Sequence, residues 1–297
     1  MKKMRLPLLV ALGVAVLGII FGTFFDLQIS QAIASPSNKF ALFISAIGPT
    51  VGFASVAAMG GGFIALAIHG KYHIALKILF YVLAACCFAV SIIYPKGEYF
   101  GVNGFYGAAP EWVAYFIVVP LEAAAMVGGY FLFKDCQNKN MWIVFCVIIV
   151  TLLIALLATI PTIKDHMHRP RFRFLLEVNN MDLFHRWYEP CGEYKDLIAL
   201  TGTHKDNFKS FPSGHTAEAS ILFVTFTFFP LAHKKYEKLA MPLFGFAAFW
   251  VALIALARIL AAAHFLSDVS WGATIALTLL IVANEVVMRV KALQLAE

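Results

Sequence analysis

Long apolar stretches, each ended by a short polar junction, recur along the whole chain. Eight of them, at roughly 6–25, 50–69, 73–94, 112–133, 141–163, 214–232, 241–260 and 268–288, reach the ~20 residues a helix needs to cross ~30 Å of hydrocarbon. Apolar and polar residues do not alternate at a period of two within them, so the pattern does not read as a membrane barrel. It predicts an all-α, polytopic transmembrane helical bundle of about eight spans forming one membrane domain. Phe40 to Ile47 is too short to span alone and reads as an interfacial helix or the start of the second span. The first run is long for the apolar part of a signal peptide. A polar stretch also separates it from the small residues Ala32 and Ala34, so a retained anchor helix is the expectation.

Composition sharpens this picture. Apolar residues make up 61% of the 297 and charged residues 13%, against about 45–50% and about 25% in soluble chains. The +6 net charge lies in basic residues flanking the spans rather than in a basic stripe with interleaved aromatics, so the membrane is the expected partner and nucleic acid is not. Counted from the N-terminus, the basic junctions Lys2-Lys3-Arg5, Lys71, Lys134 with Lys139, Lys234-Lys235 with Lys238, and Arg289 with Lys291 alternate with a second set. Basic residues mark the cytoplasmic side, so both termini are expected inside. The junctions 26–39, 95–111, 164–212 and 261–267 are then expected outside. The long outer loop 164–212 is the one sizeable polar region, where water-soluble chemistry would sit. Its one cysteine, Cys191, is expected exposed and without a disulfide partner; the other four are Cys86, Cys87 and Cys146 in apolar runs and Cys136 in a short junction. Glu122, near the middle of the fourth span, is a costly charge that is functional, protonated or paired. Gly60-Gly61-Gly62 reads as close helix packing.

Three polar clusters fall on the outer side under this topology. Lys164 through Phe172 leaves the fifth span, Phe211-Pro212-Ser213-Gly214-His215 enters the sixth, and Arg258, His264 and Asp268 bridge the seventh and eighth. Taken singly, the cations read as interfacial charges, Pro212-Ser213-Gly214 as a turn with a helix cap, and His264 with Asp268 as a structural pair. Asp165, His166 and His168 could offer metal ligands, but no further ligand is evident. Phe184, Trp187 and Tyr188 read as interfacial residues or as a small core for the loop.

Together the clusters resemble the type 2 phosphatidic acid phosphatase superfamily. Its first motif is a lysine, six residues, then Arg-Pro; its second is Pro-Ser-Gly-His; its third is Ser-Arg, five residues, His, three residues, Asp. Lys164 with Arg171, Pro212 through His215, and Arg258 with His264 and Asp268 match in order and spacing. Arg169-Pro170 is a competing Arg-Pro pair, but only Arg171 gives the six-residue gap. Phe172 stands in place of a proline and Ala257 in place of a serine, which bears on rate and preference. The resemblance covers about 164–268 and implies a six-helix core with three helices before the first motif, where this chain has five. It implies His264 as nucleophile and His215 as general acid, with no metal and no cofactor.

The residue chemistry stands beside this. Lys164, Arg171 and Arg258 can hold the oxygens of a phosphate dianion, and Ser213 with the Gly214 N–H can cap a helix N-terminus that binds an anion. His264 and Asp268, four apart, share a face if the helix has begun, so Asp268 can hold one imidazole nitrogen while the other attacks phosphorus. The expected function is hydrolysis of a lipid phosphate monoester or diphosphate at the outer face, in a bacterial plasma membrane. A phosphotransferase with another acceptor, an anion transporter and a non-catalytic lipid-binding relative are the alternatives.

Overall fold

The structure is a computed structural model and describes residues 2–96, 112–134, 139–226 and 234–289. The outer junction at 97–111, Cys136, the end of the sixth run and Lys291 lie outside these residues. The protein is 83% helical without strands among the described residues. The long helices are α1 (Lys2–Ile33), α2 (Lys39–His69), α3 (Ile74–Lys96), α4 (Trp112–Lys134), α5 (Lys139–Met167), α9 (Ala240–Leu260) and α10 (Leu266–Arg289). All seven contain segments long and apolar enough to cross a membrane. The sixth run opens with the short α8 (Gly214–Ala219), turns at Ser220-Ile221 and resumes as helix over 222–226.

Two expected boundaries move. The segment from Phe40 belongs to α2, started by Asn38, whose side chain accepts from the Ala41 N–H at 2.9 Å. Pro49 sits inside this helix. The junction expected at 26–39 shrinks to five residues, because α1 runs on to Ile33. This extension carries Asp26 and Ser30 into the interior.

α2 is the most enclosed of the long helices. It packs against α3 and α4 through small residues: a Cβ on Gly61 would lie 1.9 Å from the Met126 carbonyl oxygen, and one on Gly129 2.1 Å from that of Ala58. The triple glycine is therefore part of the close helix contact that the small residues predict. α1 lies antiparallel to α10, with Arg5 on Glu285 at one end (3.1 Å) and Asp26 against Ser267 at the other (2.9 Å). Large apolar side chains such as Leu6, Phe24, Phe116 and Ile154 stay exposed on the outer faces of α1, α4 and α5, as lipid-facing residues do.

The long loop folds back as a cap at the Asp26 end. It contains α6 (Phe172–Glu177), α7 (Tyr194–Thr201) and short 3-10 turns at Met181–Leu183 and Lys205–Phe208. Phe172, Phe174, Leu175, Cys191 and Phe208 pack with Ala262 and Phe265 into a core separate from that of the bundle. Phe184 joins this core. Trp187 instead stacks near Phe211 and Trp271 and donates to the Thr23 hydroxyl at 2.9 Å. Cys191, expected exposed, is 1% exposed; the apolar loop core takes up its thiol.

Candidate active site

The three clusters converge under this cap. Ser213 N–H donates to the Asp268 carbonyl at 3.0 Å, which joins the second cluster to the third. Arg171 N–H donates to the Asn207 carbonyl at 2.7 Å, and Arg173 N–H to that of Ala262 at 2.9 Å, so the first cluster is tied to both the loop and the α9–α10 connection. His264, Asp268 and Ser213 are fully buried, and Arg171, Arg258 and His215 nearly so.

His264 sits between α9 and α10. Its Nδ1 lies 2.6 Å from the Ser210 carbonyl oxygen, which can only accept, so Nδ1 carries the proton. Nε2 is left with its lone pair and makes no hydrogen bond among the described residues. Here the structure modifies the expected pairing: the nearer Asp268 oxygen is 3.8 Å from Nδ1, beyond hydrogen-bond reach. Asp268 acts on the ring through its charge and through the chain around it. One of its oxygens accepts from the Ser210 hydroxyl at 2.6 Å and the Phe265 N–H at 2.8 Å. Burial holds the His264 imidazole well below its ordinary value; Asp268 pulls it up, and the charges of Arg171, Arg258 and Lys164 push it further down. The charges of all three cations are thus felt at the ring.

Arg171 is the first residue before α6, in extended conformation (φ −81°, ψ 151°). Its guanidinium pairs with Asp206 at 3.1 Å, and Asp206 also takes Arg173 at 3.1 Å. Burial alone would raise the Asp206 carboxyl, but Arg171, Arg173, Lys164 and Arg258 outweigh it and hold it below its usual range. Lys164, in the last turn of α5, stands beside α8: its ammonium is 3.9 Å from where a Gly214 Cβ would be. Outside the glycine's own stretch of backbone, the nearest atoms to that point among the described residues are a Glu218 carboxylate oxygen and an Ile160 methyl, both at 3.7 Å, so the glycine leaves room at the start of α8. Ser213 caps this helix, its oxygen accepting from the Thr216 N–H at 3.5 Å and the Thr216 hydroxyl at 3.1 Å. His215 is the second residue of α8.

Arg169 does something different from Arg171. It is fully buried, with Nη1 2.5 Å from Asp268, Nη2 2.9 Å from Asp26 and Nε 2.8 Å from the His185 carbonyl. The Phe265 ring lies 4.3 Å from its guanidinium carbon. Removing one partner from a buried ion cluster costs about 3–5 kcal/mol. Asp26, Asp206 and Ser210 were not singled out from the sequence, and Arg169 only as half of the competing Arg-Pro pair. Only the run of Gly18, Gly22 and Asp26 at four-residue spacing hints that this face of α1 packs closely.

The two departures are both apolar contacts. Phe172 begins α6 and packs edge-on to Phe265 (centroids 6.1 Å apart), which anchors the backbone after Arg171. Ala257 is buried in the bundle core. Glu122 is fully buried in α4. The possible metal ligands disperse: Asp165 pairs with Lys209 at 3.0 Å, and His168 stacks on Tyr194 at 3.6 Å. Among the described residues, His185, Cys191 and Glu193 group ligand-type atoms within 4.8 Å, two of them already joined at 3.2 Å.

A buried imidazole with a free nitrogen, beside a lysine and two arginines at the end of an apolar helical bundle, defines a membrane protein built for phosphate chemistry. A family model described as the PAP2 superfamily matches residues 123–291, and the chain belongs to that superfamily. It is accordingly a phosphatase-type enzyme acting on phosphoester bonds, and an integral membrane protein. No curated protein and no solved structure matches the chain.

Proposed function

We propose that the protein hydrolyses a lipid phosphate monoester or diphosphate at the outer membrane face, without a metal, through a phosphohistidine. The observation that carries this reading is the fixed tautomer of His264. With Nδ1 held by the Ser210 carbonyl, Nε2 keeps its lone pair amid the charges of Lys164, Arg171 and Arg258.

Phosphoryl transfer spreads charge over three equatorial oxygens, and fixed cations stabilise it where it develops. Lys164, Arg171 and Arg258 supply that charge, with the Ser213 hydroxyl and Gly214 N–H as donors. The Nε2 lone pair of His264 forms the N–P bond as the bond from phosphorus to the leaving oxygen breaks, and His215 gives that oxygen its proton. Water then attacks phosphorus, His215 takes a proton from it, the N–P bond breaks and phosphate leaves. Asp268 offsets the positive charge on the phosphorylated ring. A site at the end of a bundle whose flanks are apolar lets the lipid chain remain in the bilayer. The basic residues gathered at the junctions of the opposite end support an outward-facing site.

The test is phosphate release by detergent-solubilised protein in the presence of EDTA. Phosphatidate, phosphatidylglycerophosphate and undecaprenyl diphosphate are offered to wild type and His264→Ala. Release by wild type alone is the expected result. Equal release by both overturns the assignment of His264, and release by neither from folded protein overturns hydrolysis of these lipids.

A further inference from the structure

Positions 18, 22 and 26 of α1 lie on one helical face and press onto α10. A Cβ on Gly22 would stand 2.6 Å from the Ser267 nitrogen, and one on Gly18 2.3 Å from the Ser270 hydroxyl. The close approach delivers one charged group, Asp26, which is 2% exposed. Its Oδ1 accepts the Ser267 N–H at 2.9 Å, in the first turn of α10. Its Oδ2 takes Arg169 Nη2 at 2.9 Å and the Ser267 hydroxyl in a short contact. The other end of the same guanidinium holds Asp268, and Asp268 stands beside His264.

Two carboxylates thus share one guanidinium in a space closed to water. Asp26, Arg169 and Asp268 carry −1, +1 and −1, so the set facing His264 has a net charge of −1. Without Asp26 it would be neutral, with Arg169 spending its whole charge on Asp268. The difference matters at one moment only. Before reaction the imidazole is neutral; once Nε2 bonds phosphorus while Nδ1 keeps its proton, the ring carries a positive charge.

We propose that Asp26 is a positioning residue for phosphoryl transfer: by sharing Arg169 it leaves Asp268 a surplus negative charge for the ring of His264. α1, which lies outside the family-matched stretch 123–291, is then a working part of the site. The inference rests on His264 being the nucleophile. It acts on the step in which ring charge develops and not on the phosphate pocket of Lys164, Arg171 and Arg258, so it affects kcat and leaves KM.

The test compares full-length wild type, D26N and D26N/R169Q in detergent with phosphatidate and EDTA, with thermal stability measured for each. D26N keeps the shape and removes the charge; it is expected to lower kcat on the order of tenfold to a hundredfold, as loss of one unit charge several ångströms away in a partly shielded site predicts. KM stays within about twofold. D26N/R169Q removes both charges, returns the set to −1, and is expected to regain most of the loss, a rescue that a purely structural role does not produce. Wild-type kcat in folded D26N overturns the proposal. So does a double variant as slow as D26N, or a loss that appears in KM. If D26N does not fold, the double variant decides, since it leaves no unpaired guanidinium and its Asp268 keeps the Ser210 hydroxyl and the Phe265 N–H: near wild-type kcat supports the proposal, and a kcat about a hundredfold lower overturns it. If wild type itself releases no phosphate, the phosphatase reading fails and the inference falls with it. Failure of the inference alone leaves wild type active and His264→Ala inactive.

Discussion

Gly272 is where the second and third clusters touch most closely, and replacing it with alanine makes a sharp perturbation. The new Cβ would sit 2.3 Å from the Ser213 carbonyl oxygen and 3.4 Å from the Ala217 nitrogen. Carbon does not approach an oxygen closer than about 3.0 Å, so α10 and the start of α8 must part by roughly 0.7 Å. That motion stretches the 3.0 Å bond from Ser213 N–H to the Asp268 carbonyl and carries Ser213, Gly214 and His215 away from His264. Overpacking of this kind costs about 1–3 kcal/mol, and alanine returns roughly 0.5–1 kcal/mol because it suits a helix better than glycine. The fold survives while the geometry does not. A misplacement near 1 Å costs on the order of a hundredfold in rate, so Gly272→Ala is expected to lower kcat tenfold to a hundredfold with a small fall in Tm. Steady-state phosphate release beside a thermal melt measures both. Wild-type kcat with wild-type Tm would refute the contact and the dependence of rate on it.

Other outcomes follow from the same geometry. Arg171→Lys loses the planar fork that pairs with Asp206 and that the proposed mechanism uses to hold a phosphate oxygen, and should raise KM and lower kcat/KM by at least about tenfold; an unchanged value would remove Arg171 from the phosphate pocket. Asp268→Asn leaves the buried Arg169 one carboxylate short and should destabilise by about 3–5 kcal/mol, read as a lower denaturant midpoint. His264, held well below its ordinary value of 6.5, refuses a proton that the unfolded chain accepts. Stability should therefore fall as pH drops below about 6.5, and the slope should shrink in His264→Gln; equal slopes would contradict the buried neutral ring. The Cys191 thiol is pushed up to about 12 by burial and the nearby Glu193. It should resist maleimide at pH 7 until the protein unfolds, and rapid labelling would show that the loop core is open.

The spans were legible because membrane helices must be long and apolar throughout. The three motifs were legible because phosphate chemistry needs particular side chains at fixed intervals. Spacing chose Arg171 over Arg169, and the structure gives the two arginines separate surroundings: one stands with Lys164 and Arg258 near His264, the other is locked between carboxylates. What could not be read are the contacts made across great sequence distance or through backbone. Asp26 meets Ser267 across 241 residues, and in sequence it looks like the first residue of a polar junction. The partner of His264 Nδ1 is a carbonyl, to which any residue at 210 would contribute equally. α6 has six residues and α7 eight, too few to show a helical period, so the folded cap resembled a featureless loop and Cys191 an exposed residue.

The most direct test of the account is to trap the intermediate. Protein mixed with phosphatidate labelled in its phosphate, quenched in alkali within milliseconds and digested, should yield a peptide carrying phosphate on His264. The label should survive base, be lost in acid, and be absent from His264→Ala. Turnover of phosphatidate with no label on the protein, or with the label on a residue other than His264, would contradict the mechanism proposed for this site.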